Sequence, residues 1–220
     1  MQTSEVKYNK RWEEGYGLEY PDGHIIRLCK RYVFPKITKK DKRALDFGCW
    51  NGTHTEYIRM NGYASYGIDV TNKPIAYAKT LHPYCIFYPI SNSTDLIDLY
   101  RDVKFDFILA NQSLYFVPDP TFDKRLHEFY SLLSNDGVII ATMMSRQNVF
   151  AKHSKRKQDN GLEEIELAGG NHYVRFIDDY EQLESTFHMF KPLMLGWYGH
   201  EFNGEVGHHW IFVGVKLEAP

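Results

Sequence analysis

The chain has 220 residues, 43% hydrophobic and 25% charged, the composition of a globular domain that buries a core of its own. Lys and Arg number 26 against 28 Asp and Glu, and the resulting net charge of −2 removes the electrostatic basis for binding nucleic acid or an anionic membrane. The three scattered cysteines give no disulfide framework, and the polar start and short apolar runs give neither a secretory leader nor a membrane span, so a soluble cytoplasmic protein is expected.

Aromatic residues reach 15%, with 16 Tyr and 14 Phe, beside 10 His. Such side chains have a flat apolar body and a polar tip, which suits both a packed core and a pocket wall.

Residues 1–35 read as an N-terminal cap. Trp12, Tyr16 and Tyr20 precede the turn Tyr20-Pro21-Asp22-Gly23, and an amphipathic helix follows from Ile25 to Val33. Five apolar runs then read as strands: Arg43 to Phe47, Ser65 to Val70, Cys85 to Ile90, Phe105 to Ala110 and Gly137 to Met143. Helices alternate with them. Thr53 to Met60 stops at Asn61-Gly62, and Asn72 to Leu81 carries Pro74 in its first turn. Thr121 to Leu133 shows Phe122, Leu126, Phe129 and Leu132 at helical spacing. The stretch 145–171 is polar, with a basic run from Lys152 to Lys157, and reads as a lid-like insertion. A helix from Asp179 to Phe187 follows, then two apolar stretches, Leu193 to Tyr198 and Trp210 to Val215, around the hairpin signal Asn203-Gly204. The pattern implies one α/β domain over residues 1–220. Its sheet is doubly wound and mostly parallel, seven-stranded, and ends in a C-terminal antiparallel hairpin.

In such sheets, ligands bind beyond the carboxyl ends of the strands where strand order reverses. The first strand runs into Asp46-Phe47-Gly48-Cys49-Trp50-Asn51-Gly52, and the second ends at Asp69-Val70. An acid at that position can accept hydrogen bonds from two ribose hydroxyls. A dinucleotide would need glycines at G-x-G-x-x-G, but Trp50 fills the middle position, and Asp46 would repel a pyrophosphate. That charge pattern suits a phosphate-free nucleoside bearing a cation.

With these residues the chain resembles the class I, Rossmann-like S-adenosylmethionine-dependent methyltransferases over roughly Lys42 to Met144. The first motif is Ala44 to Gly52 and the second Tyr66 to Val70. The fourth-strand motif is Phe105 to Leu114, and Leu132 to Val138 matches the turn before the fifth strand. The resemblance implies S-adenosylmethionine as cofactor and S-adenosylhomocysteine as product. It places Asp46, Gly48, Cys49, Trp50, Gly52, Asp69, Val70, Asn111, Gln112 and Ser113 at the cofactor. Two departures stand out: Trp50 replaces a glycine, and Ser91-Asn92 replaces the aspartate usual after the third strand, leaving Ser91 and Asn92 to meet the adenine.

The family fold brings Tyr115, His153, His200, His208 and His209 to the acceptor rim and folds Tyr16 and Tyr20 over it. His200, His209 and Tyr115 are the catalytic candidates, and Tyr16, Tyr20, His153 and His208 the substrate-facing ones. In a strand only one of His208 and His209 can face the pocket. No metal is expected, because carboxylate ligands for Mg²⁺ are not evident near the fourth strand. The expected activity is methylation of a small-molecule hydroxyl, with a sugar or nucleotide-linked sugar as one candidate acceptor. The alternatives are N-methylation of a small amine and a silent cofactor-binding subunit. A homodimer is compatible with this reading.

Overall fold

In the computed structural model, residues 12–15, 17, 19–167 and 170–217 are described. Tyr16 lies outside them.

Helix α1 (Gly23–Leu28) continues as a π turn over Cys29–Val33, closed by the amide of Phe34 donating to the Cys29 carbonyl at 2.9 Å. From there strands and helices alternate: β1 (Arg43–Phe47), α2 (Thr53–Met60), β2 (Ala64–Asp69), α3 (Asn72–Leu81), β3 (Ile86–Pro89), α4 (Leu96–Leu99), β4 (Phe105–Ala110), α5 (Thr121–Leu132) and β5 (Leu133–Ser145). β5 starts four residues earlier than its apolar run and bends at Asp136, which sits at φ 59°.

The stretch 145–171 is not an irregular loop. A short 3₁₀ turn (Val149–His153) leads into an antiparallel sheet of β6 (Ser154–Lys157), β7 (Glu163–Leu167) and β8 (Gly170–Val174). The alternation around Ile165 and that of His172 with Val174 turn these side chains inward, and all three are buried. The chain then returns through β9 (Phe176–Ile177), α6 (Tyr180–Thr186), β10 (Lys191–Phe202) and β11 (Glu205–Val215). Asp179 caps α6 by accepting from the Gln182 amide at 2.8 Å.

The main sheet runs in the order β10-β11-β5-β4-β1-β2-β3, with the predicted seven strands along this path. The two-residue β9 is an addition, pairing in parallel with Met144 and Ser145 at the end of β5. β11 is antiparallel to both β5 and β10, and the other neighbours on the path are parallel. Strand order therefore reverses between β1 and β4, whose carboxyl ends open onto one crevice.

Apolar side chains fill both faces. On one, Ile25, Leu28 and Val33 pack with Ile58 of α2 against Phe107, Leu109, Ile140 and Ile211. On the other, Phe122, Leu126, Phe129 and Leu132 of α5 and Leu183 of α6 cover Leu45, Ile108, Ile139 and Phe212, and Ile165 and Val174 join the same core. Among the described residues, no helix is long and apolar enough to cross a membrane.

Candidate active site

The loop after β1 is shaped by backbone that few residues tolerate. Gly48 and Gly52 sit at φ 76° and 81°. A Cβ on Gly48 would lie 2.3 Å from the Cβ of Ser113, and one on Gly52 would lie 2.6 Å from the Phe87 ring. Trp50 also takes the left-handed conformation, at φ 50°, where a glycine would meet no steric penalty. Its indole meets Trp12 edge-on at 6.0 Å, and Trp12 in turn packs on Tyr77 of α3 at 4.9 Å.

Asp69 organises this loop from the end of β2. Its Oδ2 accepts from the Trp50 amide at 3.0 Å, and Oδ1 accepts from the amide and hydroxyl of Thr71 at 2.9 and 2.6 Å. Burial raises its pKa, against the pull of those bonds. Asp46 is 2% exposed and accepts from Thr55 Oγ1 at 2.7 Å; burial pushes its carboxyl up to about 6. It sits under the loop and holds α2. Burial likewise pushes the Cys49 thiol well up, while the amides of Gly48 and Cys49 both donate to the Ile68 carbonyl. Val70 is half-buried beside Asp69.

Two buried carboxylates beside left-handed backbone fit a nucleoside that carries positive charge. They fit a pyrophosphate badly.

Ser91 and Asn92 lie exposed on the loop between β3 and α4. Their shape is set from below by Arg125 of α5, only 1% exposed, which donates to the carbonyls of Thr94, Ser91 and Asn92 at 2.8, 3.2 and 3.2 Å. Glu128 pairs with Arg125 and accepts from the Leu96 amide at 3.0 Å. Sequence reasoning missed this pair, although two charged residues three apart on the apolar side of α5 were a signal.

Beyond β4 lies a second group of polar side chains. Asn111 donates from Nδ2 to Asp22 Oδ2 at 2.9 Å, and its Oδ1 lies 3.0 Å from Thr142 Oγ1 and 3.3 Å from His24 Nε2. Gln112, at φ 51°, donates its amide to Thr142 Oγ1 at 2.7 Å, and Ser113 Oγ donates to the Phe47 carbonyl at 2.8 Å.

Tyr198 of β10 stacks with two imidazoles: His24 at 3.6 Å and 13°, and His209 at 5.0 Å and 9°. Tyr115, in a 3₁₀ turn (Leu114–Phe116), lies tilted against His209 at 5.8 Å. His209 is 7% exposed, and neither ring nitrogen has a hydrogen-bond partner. Burial pushes its pKa down to about 4, so the ring is neutral at pH 7. The Tyr198 hydroxyl is also buried, with the side chains of Thr142 and Gln112 beside it. Asp22 is held below the usual carboxylate range: burial works to raise it, but His54, His24 and the Asn111 amide outweigh that. Asp22, His24, Thr142 and Tyr198 were not singled out from the sequence: Tyr20-Pro21-Asp22-Gly23 carries only the signature of a turn, and Thr142 and Tyr198 lie in apolar strand runs.

The remaining candidates do not join this group. His208 points to the opposite face of β11 from His209, stacking on Trp197 at 4.9 Å. His200 is exposed near the hairpin tip, beside Phe202 at 5.0 Å. His153 is exposed on the 3₁₀ turn, and Tyr20 is 74% exposed. Two members of the basic run are paired within the small sheet: Lys155 with Glu166 at 3.0 Å, and Arg156 with Glu164 at 3.1 Å. A cleft of about 580 Å³ lies away from the loop, among α5, α6 and the small sheet, and its charged walls include Arg146 and Glu163, paired at 2.7 Å.

Comparison with known proteins agrees with this geometry. The methyltransferase-domain family profile matches residues 19–209, and the chain belongs to this family, the S-adenosylmethionine-dependent class its motifs resemble. The ubiquinone biosynthesis O-methyltransferase of Marinobacter nauticus is 30% identical over 115 residues, 50% of this chain and 48% of that protein. The match thus spans about half the length of that relative. An S-adenosylmethionine-dependent methyltransferase from Anabaena variabilis superposes with a TM-score of 0.71 at 14% identity, over 96% of this chain and 93% of that one. The 1,6-didemethyltoxoflavin-N1-methyltransferase of Burkholderia thailandensis, bound to 1,6-didemethyltoxoflavin and S-adenosylhomocysteine, gives 0.61 at 15% identity, over 97% and 88%. At these identities the two structures speak to the fold alone.

Proposed function

We propose that this chain methylates a hydroxyl of a small, uncharged acceptor seated between the Gly48 loop and the Tyr198–His209 stack. The observation that carries the reading is the polar cluster of Asp22, His24, Asn111 and Thr142 at the carboxyl ends of β4 and β5, with the half-buried His24 ring stacked on Tyr198.

Asp69 would receive the ribose hydroxyls of S-adenosylmethionine, the Gly48–Gly52 backbone would lie along its body, and the Ser91–Asn92 loop would face its adenine. Bound there, the cofactor supplies a methyl group activated by a positively charged sulfur and leaves as S-adenosylhomocysteine. The chain's task is then to bring the acceptor oxygen in line with that methyl and to exclude water. The O-methyltransferase relative supports oxygen as the acceptor atom. Lys155 and Arg156 of β6, engaged by Glu166 and Glu164, give no support to a phosphorylated or nucleotide-linked acceptor.

The test is a single-turnover assay with S-adenosylmethionine carrying a labelled methyl group and parallel phenol, neutral-sugar, sugar-phosphate and amine acceptors. Label in a methyl ether of a phenol or neutral sugar, with one equivalent of S-adenosylhomocysteine, is expected. Transfer confined to amines or to sugar phosphates would contradict the proposal.

A further inference from the structure

The polar groups around His24 fix where its proton sits. Asp22 is ionised and can only accept, so the Asn111 group facing it at 2.9 Å is the amide NH₂. Oδ1 of Asn111 is thereby turned toward Thr142 and His24. The Thr142 hydroxyl accepts the Gln112 amide and gives its single proton to Asn111 Oδ1. The second lone pair of Oδ1 faces His24 Nε2 at 3.3 Å, so Nε2 must carry the imidazole proton. Nδ1 is left with its lone pair, and it has no hydrogen-bond partner among the described residues. Unlike the nitrogens of His209, it is not sealed in the interior.

We propose that His24 Nδ1 is the catalytic proton acceptor of this methyltransferase, oriented by Asp22 through Asn111. This rests on the hydroxyl-acceptor reading above. In the step, the acceptor O–H bond breaks and its proton passes to His24 Nδ1. The oxygen pair forms the new oxygen–carbon bond, while the methyl carbon–sulfur pair returns to sulfur. Stacking on Tyr198 holds the ring plane, and the Asn111 bond holds its rotation.

Other charged groups bear on this ring. Burial lowers its pKa, Asp22 and the Asn111 bond raise it, and His54 and Arg27 lower it; His24 and His209 also repel one another when protonated. Arg27 is exposed and folds back onto the Gly23 carbonyl at 3.2 Å. His209 is the poorer base, because burial on every side resists its protonation.

The first test needs no turnover: ¹⁵N-edited NMR of histidine-labelled protein, alone and with S-adenosylhomocysteine. The expected result is the Nε2–H tautomer for His24, with a titration that moves to lower pH in Asp22→Asn. An Nδ1–H tautomer, or a titration indifferent to Asp22, would overturn the proposal. The second test is His24→Gln, which keeps a donor toward Asn111 but has no basic nitrogen. The expected loss in kcat is about a hundredfold for a neutral-sugar hydroxyl and smaller for a more acidic phenol, with calorimetric affinity for S-adenosylhomocysteine unchanged. An unaltered kcat and pH profile would overturn the role of His24 while leaving the methyltransferase reading intact. Wild-type protein that methylates only amines would instead fail the hydroxyl reading on which it rests.

Discussion

The crevice at the carboxyl ends of the strands has two halves of different construction. The β1–β2 half is built from backbone: left-handed loop residues, Asp69 accepting from the Trp50 and Thr71 amides, and a buried Asp46 beneath. The β4–β5 half is built from side chains that come from distant parts of the chain, residues 22, 24, 111, 142, 198 and 209. Its polar atoms are partly unsatisfied, whereas those of Asp69 are engaged. In the proposed reading the first half receives the cofactor and the second the acceptor.

Breaking the first half should have the larger effects. Gly48→Ala adds a Cβ 2.3 Å from Ser113 and strains a left-handed residue. A loss of about 2–4 kcal/mol in urea unfolding is expected, and the double variant with Ser113→Gly should recover the part due to the clash.

Asp46→Asn should act in the opposite direction. Its folded pKa of about 6, raised from 3.8, means that the native state holds the proton more tightly. Stability is therefore highest at low pH and falls as pH rises from 3.8 through about 6. The shift corresponds to about 3 kcal/mol at pH 7, so the variant should be more stable there by up to that amount. Unfolding measured from pH 4 to 7 should show its pH slope flattened in that window.

The second half is tested by His209→Phe, which keeps the stack on Tyr198 and removes two buried unpartnered nitrogens. A gain of about 1–2 kcal/mol at pH 7 is expected. Because the folded pKa is lowered from 6.5 to about 4, the neutral ring's contribution is present above pH 6.5 and is lost as pH falls toward 4. The variant should lack that acid loss. Trp50→Gly should have the smallest effect, within about 1 kcal/mol by thermal unfolding, because backbone relief offsets the lost edge contact with Trp12.

The two halves also differed in how readable they were. Gly48, Gly52 and Asp69 lie within 22 consecutive residues, and their strand–loop–helix spacing alone specifies the loop. Apart from the four-residue α4 (Leu96–Leu99), which was not among the expected elements, the strands and helices from residue 43 to 132 were legible for the same reason, and Thr53–Met60 and Asn72–Leu81 match their expected bounds. The acceptor half depends on register between strands far apart in sequence. Only the pairing of Tyr198 with His209 brings those two rings together. Arg125 and Glu128 were obscured because a buried ion pair looks like an ordinary solvated one in sequence. The β6–β8 sheet was obscured because its inward positions hold few apolar residues among many charges.

The most direct measurement of the central claim is calorimetric titration of the wild type and Asp69→Ala with S-adenosylmethionine, S-adenosylhomocysteine and NAD. The account predicts binding of the first two to the wild type, none of NAD, and a loss of about 1.5–3 kcal/mol in the folded variant. Equal affinity in the variant, or NAD bound in preference to S-adenosylmethionine, would contradict it.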